Sequence, residues 1–107
     1  MKATEKIQAE LSRAEAARAS GNEGRARVCA RRAAGMAARI FLDRNGAGRR
    51  SENAVELLQA LAEYPGLAPD LRLAAVHLTL RVTEAFTLPV AVDLIAEARK
   101  LCSSLGE

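Results

Sequence analysis

The chain has 107 residues, of which half are apolar and 27% are charged, and this balance is typical of one globular domain spanning residues 1–107 rather than of a disordered chain. Aromatic residues make up only 3%, and alanine dominates, so the composition favours closely packed helices with an aliphatic core. No apolar run approaches the ~20 residues that a membrane span needs, and we expect a cytoplasmic protein.

The first two helices are expected to form the first half of the domain. One begins near Thr4 and ends at Ser20 and Gly21; Asn22 then caps a second helix from about Glu23 to Arg44. Its apolar positions recur at helical spacing and predict a core stripe of Ala26, Cys29, Ala30, Ala33, Ala37, Ile40 and Phe41.

A second apolar strip lies on the other side of the second helix. Val28, Gly35 and Leu42 repeat every seven residues beside Ala38. Because glycine within a helix costs about 1 kcal/mol relative to alanine, Gly35 indicates close approach of another backbone. The strip is either a face for a second copy of the chain or a surface that tolerates glycine.

Three further helices are expected in the second half. Ser51 is a suitable N-cap for the third helix, and Pro69 suits the first turn of the fourth. The fourth helix is expected to be buried on two sides, and Thr87 and Pro89 open the last helix. The fourth helix has a main stripe of Leu71, Ala75, Leu78, Val82 and Phe86, and a second edge of Leu73, Val76 and Leu80. The last helix has a stripe of Ala91, Leu94, Ile95, Ala98, Leu101, Cys102 and Leu105.

The sequence lacks the motifs of the common enzyme classes. It contains no P-loop, GxGxxG, HExxH or GxSxG motif and a single histidine, so we predict neither a metal site nor a cofactor. Cys29 and Cys102 each fall in an apolar stripe and are interpreted as buried free thiols. Carboxylates at helical spacing, such as Asp93 and Glu97, are interpreted as solvent-facing charges.

The arginines suggest a binding function. Residues 1–50 carry 12 Lys/Arg against 5 Asp/Glu, whereas residues 51–107 carry 4 against 8. Arg25, Arg32 and Arg39 recur every seven residues along one edge of the second helix and are candidate phosphate contacts. The alternatives are a face that meets the acidic half of another copy and a solvated face.

Arg72 and His77 are the candidate catalytic residues. Their separation turns the two side chains roughly 140° apart on a helix, so they would not form a tight pair within one chain. Across a dimer they could line a shared cleft, in which the arginine holds a phosphate and the histidine moves a proton. The simpler interpretation is a lone histidine packed against Leu73 and Leu80.

The order of these features resembles the HEPN (higher eukaryote and prokaryote nucleotide-binding) domain family. Residues 14–46, AEAARASGNEGRARVCARRAAGMAARIFLDRNG, look like the family's first helix, its polar turn and its long alanine-rich second helix. Residues 78–101, LTLRVTEAFTLPVAVDLIAEARKL, look like its closing segment, in which a Pro-containing loop precedes an amphipathic last helix.

The resemblance implies an antiparallel up-and-down bundle of four to five helices that forms a homodimer. It also implies a minimal nucleotidyltransferase as partner in a toxin–antitoxin or accessory pair. Catalytic members are metal-independent ribonucleases with an arginine followed by a histidine, a spacing that Arg72 and His77 match. The leading prediction is a non-catalytic module associated with nucleotides or nucleic acid. The alternatives are a ribonuclease toxin and a tetratricopeptide-like scaffold.

Overall fold

Five α-helices are present in the part of the chain that the computed structural model describes, residues 2–47, 53–80 and 92–105. No strand occurs within these ranges, and the predicted all-α class is confirmed. The helices are Ala3–Ala19 (α1), Glu23–Arg44 (α2), Ala54–Ala62 (α3), Pro69–Leu78 (α4) and Leu94–Leu105 (α5). None of the described helices is both long and apolar enough to cross a membrane.

Helix α2 lies at the centre of the domain. It packs against α1, α5 and α3, while α4 packs mainly against α3 and α5. The face of α2 toward its neighbours is made of small side chains, which let helix axes approach closely, and leucines from the other helices fill the remaining space. The fully buried alanines of α2 are Ala26, Ala30, Ala33, Ala34, Ala37 and Ala38.

The predicted boundaries of the first hairpin are confirmed. Gly21 ends α1 with a positive φ of 83°, a conformation that glycine adopts at low cost. The Asn22 side chain then accepts a hydrogen bond of 3.1 Å from the Arg25 N–H. This bond satisfies one of the free N–H groups at the start of α2, so the turn sequence alone determines where the second helix begins.

Gly35 is the place where α2 and α3 come closest. A Cβ atom built on Gly35 would lie 2.8 Å from the Ala54 Cβ and 3.0 Å from the Ala54 Cα. The predicted close approach of another backbone is therefore confirmed, and that backbone belongs to α3 of the same chain. Because Gly35, Ala38 and Leu42 are buried within the domain, the strip that they form is not a surface open to a second copy.

The predicted boundaries of the later helices are partly wrong. Asn53, not Ser51, caps α3, since its side chain accepts a hydrogen bond of 3.2 Å from the Glu56 N–H. Helix α4 ends at Leu78, because Thr79 and Leu80 are not helical. Asp93 caps α5, with Oδ1 accepting hydrogen bonds of 3.0 and 3.2 Å from the N–H groups of the second and third helical residues. Ser51, Val82, Phe86, Thr87 and Pro89 lie outside the described residues.

Helix α4 is buried on one side only, which contradicts the expectation of two. Leu73 and Val76 are 54% and 42% exposed. The helix rests on α3 and α5, and it touches α2 only slightly, so no described element covers its second apolar edge. Periodicity identified both apolar edges of this helix, but the number of covered edges depends on how many neighbours it has.

The stripe predicted for the last helix is confirmed at every described position. All six of its members between Leu94 and Leu105 are buried, and Ala91 lies outside the described residues. Cys29 and Cys102 are free and buried, as predicted. Burial raises the pKa of the Cys102 thiol to about 11, so this sulfur stays protonated and unreactive at neutral pH.

Candidate functional site

The exposed edge of α2 carries the three arginines selected from the sequence. Arg25, Arg32 and Arg39 are all exposed, and we call these three residues the α2 arginine edge. Seven residues advance a helix by about 10.5 Å and bring the side chain back to within about 20° of the same direction. Arg39 also lies near its own helix neighbour Asp43, with Nε 4.0 Å from Oδ2. The edge therefore presents positive charge at regular intervals along one side of the domain.

A pocket of about 170 Å³ opens between Arg32 and Arg39. Its floor is apolar, because it is formed where α3 begins against α2 at the close contact of Gly35 with Ala54. Met36 and Leu57 complete this floor. Sequence reasoning found the two arginines but not the pocket, since the pocket depends on where α3 docks.

Arg31 has a structural role that the sequence did not indicate. Its Nε donates a hydrogen bond of 2.8 Å to the Leu78 carbonyl, and its Nη2 donates one of 2.6 Å to the Leu80 carbonyl. These carbonyls follow the last turn of α4 and have no partner within the helix. Burial, together with repulsion from Arg27, lowers the pKa of the guanidinium. Arg31 thus closes the end of α4 against α2 rather than extending the exposed edge.

Arg72 closes the end of α3 in the same way. Its Nε donates to the Ala62 carbonyl at 2.9 Å, and its Nη2 donates to the Tyr64 carbonyl at 3.1 Å. Two charge-assisted hydrogen bonds from one side chain hold α4 to the last turn of α3.

His77 points to a different neighbour. Its Nδ1 lies 2.9 Å from the Glu97 Oε1, and the two side chains are only 18% and 16% exposed. Lys100 approaches the other carboxylate oxygen at 3.7 Å. Within the chain Arg72 thus contacts α3 while His77 contacts α5, so the two do not converge. Glu97, interpreted from its spacing as a solvent-facing charge, is mostly buried, and that interpretation was wrong because α4 covers it.

Arg18 joins three helix ends. It donates hydrogen bonds to both carboxylate oxygens of Glu23, at 2.8 and 3.0 Å, and a third to Asp93 at 2.9 Å. The bond from Arg18 lowers the pKa of Glu23. Burial opposes the ionisation of Asp93, but hydrogen bonds from Arg18 and from backbone N–H groups outweigh it and lower its pKa as well. The cluster links the end of α1 to the starts of α2 and α5.

We expect Arg18→Gln to lower the free energy of unfolding by about 0.5–1 kcal/mol at pH 7, because all three side chains are partly exposed. Carboxyl groups whose pKa is depressed by folding stabilise the protein above their ordinary pKa near ~4, and this contribution is lost as the pH falls through the folded value. The difference between wild type and variant should therefore shrink below about pH 4.

Urea unfolding of both proteins at about pH 7 and about pH 3 measures this difference. Arg25→Gln is the control, since it removes an exposed arginine that has no described carboxylate partner, and it should change stability little at either pH. A difference for Arg18→Gln that is equally large at both pH values would contradict the assignment of the cluster.

Glu10 is a buried carboxylate that sequence reasoning overlooked. It is 5% exposed, it forms an ion pair with Arg13, and its Oε2 has no hydrogen-bond partner among the described residues. The signal was present in the sequence, because Glu10 stands three residues after Ile7 and four before Ala14 on the buried stripe of α1.

The described residues define an all-α domain of five helices, with an exposed arginine edge on its central helix and two other arginines closing helix ends. No group of three His, Cys, Asp or Glu side chains in residues 2–47, 53–80 and 92–105 is placed to hold a metal ion. The chain matches no family model, no curated protein and no solved structure.

Proposed function

We propose that the protein is a non-catalytic, HEPN-like interaction module that binds nucleic acid or nucleotides through the phosphate groups. The observation that carries the proposal is the α2 arginine edge, in which three exposed guanidinium groups share one side of a 22-residue helix. Guanidinium groups bind phosphate with two parallel hydrogen bonds, and exposed arginines of like charge attract a polyanion.

The spacing of the edge suits a nucleic-acid strand. Successive arginines stand about 10.5 Å apart along the helix, close to the rise of three stacked nucleotides at about 3.4 Å each. The excess of 12 basic over 5 acidic residues in residues 1–50 places the surrounding charge in the same half of the chain. A solvated face would need no such regular spacing.

The contacts of Arg72 and His77 favour binding over catalysis. The Arg72 guanidinium donates to two backbone carbonyls, and the His77 ring is paired with Glu97. A ribonuclease site built on these residues would need a second copy of the chain to bring them into one cleft. The homodimer and a nucleotidyltransferase partner are part of the proposal, and the exposed Leu73 and Val76 of α4 are candidate contacts for either.

We expect labelled single-stranded RNA to bind with a strong dependence on salt. If three arginines each neutralise one phosphate, the affinity should fall about 20-fold between about 50 and about 200 mM salt, because each contact to a single strand contributes about 0.7 to the slope of log K against log salt. In Arg25→Ala/Arg32→Ala the same change of salt should lower the affinity only about threefold. Fluorescence anisotropy titrations at several salt concentrations measure both slopes.

The matched control is Lys2→Ala/Lys6→Ala, which removes two exposed positive charges from α1 instead of α2. This variant should keep the slope of the wild type. Equal losses in the two double variants would mean that net charge alone drives binding, and the α2 arginine edge would then not be the site.

A further inference from the structure

The pocket between Arg32 and Arg39 supports a more specific inference, which rests on the proposed function. The pocket combines two features that a simple phosphate-binding surface does not need, a volume of about 170 Å³ and an apolar floor. A charged group stands on either side of this floor. The ligand that complements such a pocket has a flat apolar part with an anion on each side.

We propose that the pocket receives the base of one unpaired nucleotide in a single-stranded nucleic acid, while Arg32 and Arg39 contact phosphates on either side of it. An apolar cavity of about 150 Å³ accommodates benzene, so the volume suits a single flat ring. Arginine guanidinium planes also stack on bases, and the Met36 thioether makes favourable contacts with ring edges.

The geometry of α2 and α3 supports this orientation of the strand. A strand that follows the helix from Arg32 to Arg39 covers about three nucleotides, so the central nucleotide lies over the pocket. Helix α3 begins at Ala54 in the wall of the pocket, and the positive end of its dipole, about half a charge, favours phosphates there. The base is the part of the nucleotide that the floor can remove from water.

Three probes of equal length distinguish the base from the phosphates. They are a labelled oligothymidine of about 12 nucleotides, an abasic phosphodiester strand of the same length, and a duplex of that length whose bases are paired. At one salt concentration we expect the oligothymidine to bind about tenfold more tightly than the abasic strand, since contact with one base contributes about that much. The duplex should show no such advantage.

A substitution in the floor tests where this preference originates. Met36→Gln keeps an unbranched side chain of similar length and a good helix propensity, but it replaces the apolar contact with an amide. We expect it to bring the ratio of the oligothymidine and abasic affinities close to one. Val28→Gln is the control, because Val28 is an exposed apolar residue of the same helix outside the pocket, and the ratio should remain about tenfold.

The outcomes separate this inference from the proposed function. Equal binding of the oligothymidine and the abasic strand, with the salt dependence intact, would overturn the base pocket and leave phosphate binding in place. No salt-dependent binding of any probe would overturn both. Tighter binding of a polyglutamate peptide of the same charge would identify an acidic protein segment as the occupant and would also overturn the base pocket.

Discussion

Replacing Gly35 with alanine is expected to lower the free energy of unfolding by about 1–3 kcal/mol, the usual range for overpacking a close contact. The new Cβ would lie 2.8 and 3.0 Å from two atoms of Ala54, one of which belongs to the backbone and cannot rotate away. Helix propensity favours alanine by about 1 kcal/mol, so a net loss requires that the steric cost exceeds this gain. Chemical denaturation of the two proteins measures the difference.

Gly24→Ala is the matched control within the same helix. Its nearest neighbour would be the Asn22 side-chain oxygen at 3.9 Å, an ordinary contact, so this variant should gain about 0.4–1 kcal/mol. Ala54→Gly should restore part of the stability that Gly35→Ala loses, because it removes the facing methyl group. If both glycine substitutions stabilise the protein equally, α3 does not dock on α2 as described.

Arg72→Ala is expected to cost about 1.5–3 kcal/mol of folding stability, since it removes two hydrogen bonds from a charged donor and leaves the last carbonyls of α3 without their partner. The same denaturation experiment measures the loss. Arg99→Ala is the control, because Arg99 is exposed and lies 3.6 Å from Glu15 at the surface, and its removal should change stability by less than about 0.5 kcal/mol.

The stability of Arg72→Ala also bears on the ribonuclease alternative. A catalytic arginine can be removed without unfolding the protein, whereas an arginine that closes a helix cannot be removed without cost. Unchanged stability of Arg72→Ala, together with RNA cleavage in EDTA by wild type that folded His77→Ala loses, would favour the ribonuclease. A large loss of stability and no cleavage by wild type would favour the binding module.

Local sequence signals predicted the parts of the fold that depend on neighbouring residues. Gly21 and Asn22 define the turn between α1 and α2, because both the left-handed backbone and the side-chain cap act within a few residues. The α5 stripe was predicted for the same reason, since its period alone identifies the buried face. The heptad spacing of the three arginines also placed them on one exposed edge of α2.

The roles of the other polar residues depend on long-range contacts. Arg31 and Arg72 looked like surface charges or catalytic candidates, but each reaches the carbonyls at the end of another helix. Glu97 looked exposed until α4 packed over it and brought His77 to its carboxylate. A long side chain can satisfy free carbonyls only where another helix ends, and no local pattern specifies that position.

The sequence by itself therefore determined the helical class, the hairpin of α1 and α2, the buried thiols and the exposed arginine edge. The tertiary structure alone decided that Gly35 meets α3 of the same chain, that α4 keeps one apolar edge exposed, and that a pocket opens between Arg32 and Arg39. Helix periodicity and capping are properties of short segments, whereas docking positions follow from the packing of the whole chain.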